Sequence, residues 1–222
     1  MYKELLAAAA IVLTFVAFVP YVRSILAGQT KPHAFSWIVW GLGTFVVFLA
    51  QLADRGGLGA WPTGVSGLIT AGIAVLAYRG RADTSITKVD WAFLGVALAA
   101  LPCWLLTSNP LVAVVLLTGM DLAGFVPTFR VAFLRPRDEH IGFYSLGALR
   151  NAVAIAALEH YSWTTVLFPA AVGVACALFV AMVACRRTHL RGRRERGGGL
   201  RSQARNGTRP DRRCAQGRAS RP

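Results

Sequence analysis

Asp121 and Arg150 are the residues whose chemistry is most at odds with their surroundings. Asp121 stands eleven residues into an apolar run that begins at Pro110, and no other charge occurs before Arg130. Arg150 lies at a similar depth counted from Ile141, with Asn151 beside it. An ionised side chain in hydrocarbon costs at least ~2.5 kcal/mol on insertion scales, so each should face the protein interior or a water-filled cavity and find a partner. A buried Asp121–Arg150 pair would offset much of the isolated-charge penalty. The same carboxylate could bind a polar solute or carry a coupling proton or cation. No other chemistry is legible. Cys103, Cys176, Cys185 and Cys214 have no CxxC or metal-ligand spacing, and His33, His140, His160 and His189 are scattered without an HxxxH frame. A nucleophile–base set and a phosphate-cradling loop are also missing from the sequence, so neither enzymatic activity, a metal nor a cofactor is expected.

The elements that must hold these residues are membrane helices. With 55% hydrophobic and 15% charged residues and a mean hydropathy of +0.50, the chain is too apolar for an ordinary soluble domain. Seven apolar stretches, at roughly 5–22, 34–53, 61–78, 90–107, 110–129, 141–158 and 162–185, each approach the ~20 residues that cross a ~30 Å hydrocarbon core. They lack strict alternation and are rich in Leu, Ala and Val, which favours helices over a barrel. The expected fold is an all-α membrane protein of seven transmembrane helices.

The chain also repeats itself. The stretch FVPYVRSILAGQTKPHAFSW, 18–37, returns as FVPTFRVAFLRPRDEHIGFY, 125–144, at a constant shift of 107 without a gap. That shift superimposes Pro20 on Pro127, Arg23 on Arg130, His33 on His140, Pro62 on Pro169 and Arg79 on Arg186. Such a register points to duplication. It maps the first three helices onto the last three and leaves the fourth unmatched, a three-plus-one-plus-three (3+1+3) plan of two parallel triplets. The corresponding divisions are 1–80, a linker helix within 81–108, 109–187, and a tail at 188–222. Under the shift Asp121 falls on Thr14 and Arg150 on Gly43, so a pocket between the triplets has hydroxyls facing ions. Thr14 and Thr70 complete the candidate site with Asp121, Arg150 and Asn151. Thr63, Ser66, Gly67, Thr70 and Ala74 form a stripe of small residues suited to close helix packing. Pro20 and Pro127 lack the N–H that continues a helix and are candidate hinges. Trp37 and Trp40 read as an interfacial aromatic belt, and Gln51 and Asp54 as solvated helix-end residues.

Lysine and arginine cluster after helices one, three, five and seven, including Arg23, Lys31, Arg79, Arg81, Lys88, Arg130, Arg135 and Arg137, whereas the opposite side has Lys3 and Arg55. The positive-inside bias therefore predicts an N-terminus outside and a C-terminus in the cytoplasm of the cell membrane. Lys3 is cancelled by Glu4 and positive charge follows the first apolar run, as expected of an uncleaved helix. Residues 186–222 contain thirteen arginines and two acids, a composition that predicts disorder; anionic lipid is a candidate contact, the alternative is a solvated tail without a role of its own, and no specific nucleic-acid recognition is expected.

The 3+1+3 plan, with a proline near the cytoplasmic end of the first helix in each triplet, resembles the PQ-loop superfamily, which includes the SWEET sugar transporters and the lysosomal amino-acid exporters. TKPHAFSWIVW, ITKVDW and DLAGFVPT are similar to segments of uncharacterised bacterial membrane proteins in that superfamily. The namesake dipeptide stands here as Pro20-Tyr21 and Pro127-Thr128. In place of the asparagine pair of SWEET pockets, helices three and seven offer Thr63, Ser66, Thr70, Thr164 and Thr165. The resemblance implies alternating access to a midplane pocket. The expected function is transport of a small polar solute such as a sugar, amino acid or similar metabolite, with a proton or ion as candidate coupling partner at Asp121. The expected partners are that solute and the lipid bilayer, with self-association into a homo-oligomer left open. The alternative is a receptor or interaction protein of the same fold without transport.

Overall fold

A computed structural model describes residues 2–30, 32–80, 86–137 and 141–207. All seven apolar stretches are helical: α1 Tyr2–Leu26, α2 Ala34–Ala53, α3 Trp61–Arg79, α4 Lys88–Thr107, α5 Pro110–Leu134, α6 Ile141–Ala157 and α7 Trp163–Gly207. A 3₁₀ turn, Gly57–Ala60, leads into α3. Among the described residues there is no strand. Lys31, Arg81 and His140 of the sequence reading, and tail residues 208–222, lie outside the described residues. The helix of α7 continues to Gly207, beyond the end near 187 read from the sequence.

Local chemistry sets the helix starts. Thr87 and Asp90 form a reciprocal capping box at α4, with Thr87 N donating to Asp90 Oδ2 at 2.8 Å and Asp90 N to Thr87 Oγ1 at 3.3 Å. Asn109 Oδ1 accepts from Leu111 N at 3.0 Å, while Pro110 occupies the first turn of α5, where its missing N–H is harmless. His33 caps α2.

Six of the helices are long and apolar enough to cross a membrane, and α6 is a shorter apolar helix. Leu5, Val12, Leu68, Leu98, Leu106, Val126 and Leu178 are exposed on the outer surface. In water such a surface would be a large unsatisfied apolar patch; in a bilayer it is the lipid contact. The chain is a multi-pass membrane protein.

The packing order differs from the chain order. α3 lies against both α1 and α2, and α7 against both α5 and α6; α1 meets α6, and α2 meets α5. α4 packs outside, on α5 and α2, and buries only Ala97 and Ala100. The largest apolar core joins Val39, Val46 and Val47 of α2 to Val114, Leu117 and Met120 of α5. Lys3 Nζ reaches Leu158 O at 2.7 Å, and Arg187 Nε reaches Pro136 O at 2.7 Å. The start of α1 thus shares a side with the α6–α7 connection, and α7 passes Pro136 on the opposite side, among Arg23, Arg79, Arg130 and Arg135. That second side is the basic side.

Close approach of α2 and α3 requires small residues. A Cβ on Gly41 would lie 3.1 Å from Ala71 N, whereas one on Gly72 of α3 would meet nothing within 4 Å. Gly41→Leu should therefore destabilise the protein by ~1–3 kcal/mol through overpacking, and Gly72→Leu should be near neutral. Thermal unfolding in detergent checks this, with equal effects of the two substitutions counting against the α2–α3 contact.

Candidate functional site

A cavity of about 980 Å³ lies between α1, α2, α5 and α6, backed by α3 and α7. Thr14, Thr70, Asp121, Arg150 and Asn151 all line it, so the five solute-site residues singled out in sequence converge on one space. Its walls extend along the second half of α1 and the first half of α6, past Ser24, to Gln29 and Thr30 of the α1–α2 connection and Gly142 at the start of α6. The cavity therefore runs from the helix middles toward the basic side.

Arg150 does not pair with Asp121. Its Nε donates to Thr14 Oγ1 at 3.2 Å, its Nη1 to Asn151 Oδ1 at 2.8 Å, and its Nη2 to the carbonyl of Pro62. Thr14 Oγ1 in turn donates to Ala10 O at 2.8 Å, and Asn151 Nδ2 to Gly147 O at 2.9 Å. Among the described residues no carboxylate lies within ion-pair distance of the guanidinium; neutral acceptors on α1, α3 and α6 take its hydrogens. The expected salt bridge is absent because α6 faces α1, not α5. Asp121, on α5, is half-buried and opens onto the cavity with no hydrogen-bond or ion-pair partner among the described residues. Thr70 is buried and its hydroxyl donates to Ser66 O at 2.8 Å.

Aromatic rings form much of the remaining wall, which the belt reading of Trp37 and Trp40 did not anticipate. Tyr21 stacks on Trp37 at 5.2 Å between centroids, Trp37 meets Trp40 edge-on at 5.6 Å, and Phe18 meets Phe143 edge-on at 6.0 Å. All five, with Phe125 and Tyr144, line the cavity. A signal for this existed in the repeat: Trp37 falls on Tyr144 and Phe18 on Phe125. Further pairs at the shift of 107 line the cavity together, namely Thr14 with Asp121, Ala17 with Gly124, Tyr21 with Thr128 and Trp40 with Gly147. The two prolines separate. Both are exposed, but Pro20 lines the cavity and frees the carbonyl of Val16, another lining residue, whereas Pro127 does not line it. Both helices continue past their proline.

The other end of the helix assembly is closed by polar contacts. Ser162 Oγ donates to the Asp54 carboxylate, and His160 Nδ1 lies 3.8 Å from the same group. Leu58 N donates to Glu159 Oε1 at 3.2 Å, and Glu159 N to Gly56 O at 3.2 Å. Gln51, fully buried, donates to Thr165 O at 2.8 Å. Gly59 packs so closely on the end of α6 that a Cβ would stand 2.4 Å from Leu158 N. Gln51 and Asp54, read from sequence as solvated helix-end residues, thus belong to a seal between the α2–α3 and α6–α7 connections. No family model matches the chain, and neither a curated protein nor a solved structure matches it.

The Arg150 contacts are charge-assisted and buried, so Arg150→Ala, which leaves Asn151 and the Thr14 hydroxyl short of a partner, should lower stability by on the order of 3 kcal/mol. Asp121→Asn should change it little. The double variant should be additive within ~0.5 kcal/mol; mutual rescue in thermal melts would restore the direct ion pair.

Proposed function

We propose that the protein is an alternating-access carrier for a small polar solute, built as two parallel three-helix repeats joined by α4. The observation that carries this is a one-ended cavity. It lies where α1 meets α6 and α2 meets α5, reaches the basic side, and is closed from the opposite side by the Asp54–Ser162 and Glu159–Leu58 contacts. A chamber with one open mouth and a second end held by a few breakable hydrogen bonds is what a carrier occupies in one of its two states.

The duplicated plan is supported by exchange. Moving every helix to its counterpart at the 107 shift turns the α1–α6 contact into the α5–α2 contact, and the α1–α3 contact into the α5–α7 contact. Six pairs of equivalent positions share the cavity wall. Rocking of one triplet against the other would open the sealed end as it closes the mouth, with α1 yielding near Pro20 and α5 near Pro127. This plan and the TKPHAFSW and DLAGFVPT segments favour a PQ-loop-like carrier over an unrelated helical bundle. The basic side is taken as cytoplasmic by the positive-inside rule, which makes this state inward-facing at the cell membrane. The arginine-rich end of the chain then lies where anionic lipid headgroups can hold it.

The test uses a cysteine-free protein with Thr128→Cys in the cavity wall, reconstituted in vesicles. An impermeant maleimide should modify it at least tenfold faster from the cytoplasmic face, and a transported solute should slow the reaction. Equal rates from both faces would remove the one-ended cavity. A broad metabolite screen in the same vesicles should find saturable uptake; saturable binding without uptake would instead make the protein a receptor.

A further inference from the structure

The cavity's two charged groups are in different situations, and the difference selects a ligand. Arg150 is spent on the fold: its three nitrogens hold Thr14, Asn151 and the Pro62 carbonyl, and its side chain is buried. Asp121 faces the same space with no partner among the described residues. A carboxylate kept at mid-membrane depth without a counter-charge is an expensive feature whose cost a bound cation removes.

The surroundings of Asp121 narrow the cation. Gly124, one turn along α5, leaves the Trp40 indole next to the helix: a Cβ there would be 3.6 Å from both Cζ2 and Nε1 of Trp40. Phe125 follows on the same wall, and Trp40 continues into Trp37 and Tyr21. Among the described residues no group of three or more His, Cys, Asp or Glu is gathered to hold a metal ion, and Asp121 is the one carboxylate on the cavity wall. Aromatic faces beside one carboxylate instead suit a weakly hydrated cation with an apolar coat, which the ring quadrupoles attract. The volume of about 980 Å³ accommodates such an organic molecule.

We infer that the solute is a small organic cation of the alkylammonium type, its charged head held between the Asp121 carboxylate and the Trp40 ring. This rests on the carrier reading of the cavity. The Arg150 side supplies no second attraction, so a carboxylate elsewhere on the solute is not required. Simple amines and quaternary ammonium ions should therefore bind as well as amino acids that share the same cationic group.

The experiment measures binding and uptake of radiolabelled choline and tetraethylammonium by the full chain in proteoliposomes, against glucose, glutamate and lysine. Choline or tetraethylammonium should bind saturably and enter. Asp121→Asn should weaken binding at least thirtyfold, Trp40→Leu about tenfold and Trp40→Phe less, while melting temperatures of the variants confirm that each is folded. Uptake of glucose or of lysine with no binding of choline or tetraethylammonium overturns the inference and leaves the carrier reading intact. Binding of the ammonium ions that depends on Asp121 but is not followed by uptake upholds the inference and overturns transport. Ammonium binding unchanged in folded Asp121→Asn overturns the inference, as does the absence of any binding.

Discussion

A guanidinium buried in the middle of an apolar helix assembly must have its hydrogens accepted, and how this chain meets that requirement for Arg150 governs much else. Thr14 comes from α1, Pro62 from the first turn of α3 and Asn151 from α6 itself. One side chain thereby ties the second half of the molecule to two helices of the first. Neutral oxygens meet the need without a carboxylate, at the expense of drawing α6 against α1. Removing either the cation or its acceptors would leave polar groups stranded in a low-dielectric interior, where each is worth far more than at a wet surface.

The second consequence falls on the opposite seam. Under the 107 shift, the Thr14–Arg150 contact between α1 and α6 corresponds to Asp121 and Gly43 between α5 and α2. Gly43 offers no polar atom beyond its backbone, and the space where a side chain would project is bounded by Leu117 and Met120 of α5. Gly43 thus supplies no side-chain partner, and Asp121 is left facing the cavity. The α1–α6 contact is a polar fastening, whereas the α5–α2 side presents an open acidic wall. The proposed carrier would use both: a contact that keeps the halves in register, and a group whose charge a bound solute can satisfy.

Helix positions were legible because hydrocarbon thickness dictates the length of apolar runs; the caps at Thr87, Asp90 and Asn109, which fix the starts of α4 and α5, were not read from the sequence. Convergence of Thr14, Thr70, Asp121, Arg150 and Asn151 was legible too, since ions and hydroxyls deep in apolar helices have few places to go. Partner choice was not. Whether Arg150 meets Asp121 or Thr14 depends on which helices touch, and a one-dimensional pattern does not contain that. Trp37 and Trp40 looked like belt residues because an indole near a helix start has the same sequence signature whether it faces lipid or a cavity. Asp54, Glu159 and Ser162 lie more than a hundred residues apart across their contacts, so only the packed chain reveals the seal.

The central claim is that opening of one side of the cavity is coupled to closure of the other. Spin-label distances in lipid test it, with one pair at the exposed positions Leu58 and Tyr161 on the sealed side and another at Gln29 and Arg137 on the basic side. The account predicts two populations for each pair, with solute shifting the two in opposite directions so that the first lengthens as the second shortens. A single unchanging distance for both pairs, with and without a solute that is demonstrably bound, would contradict it.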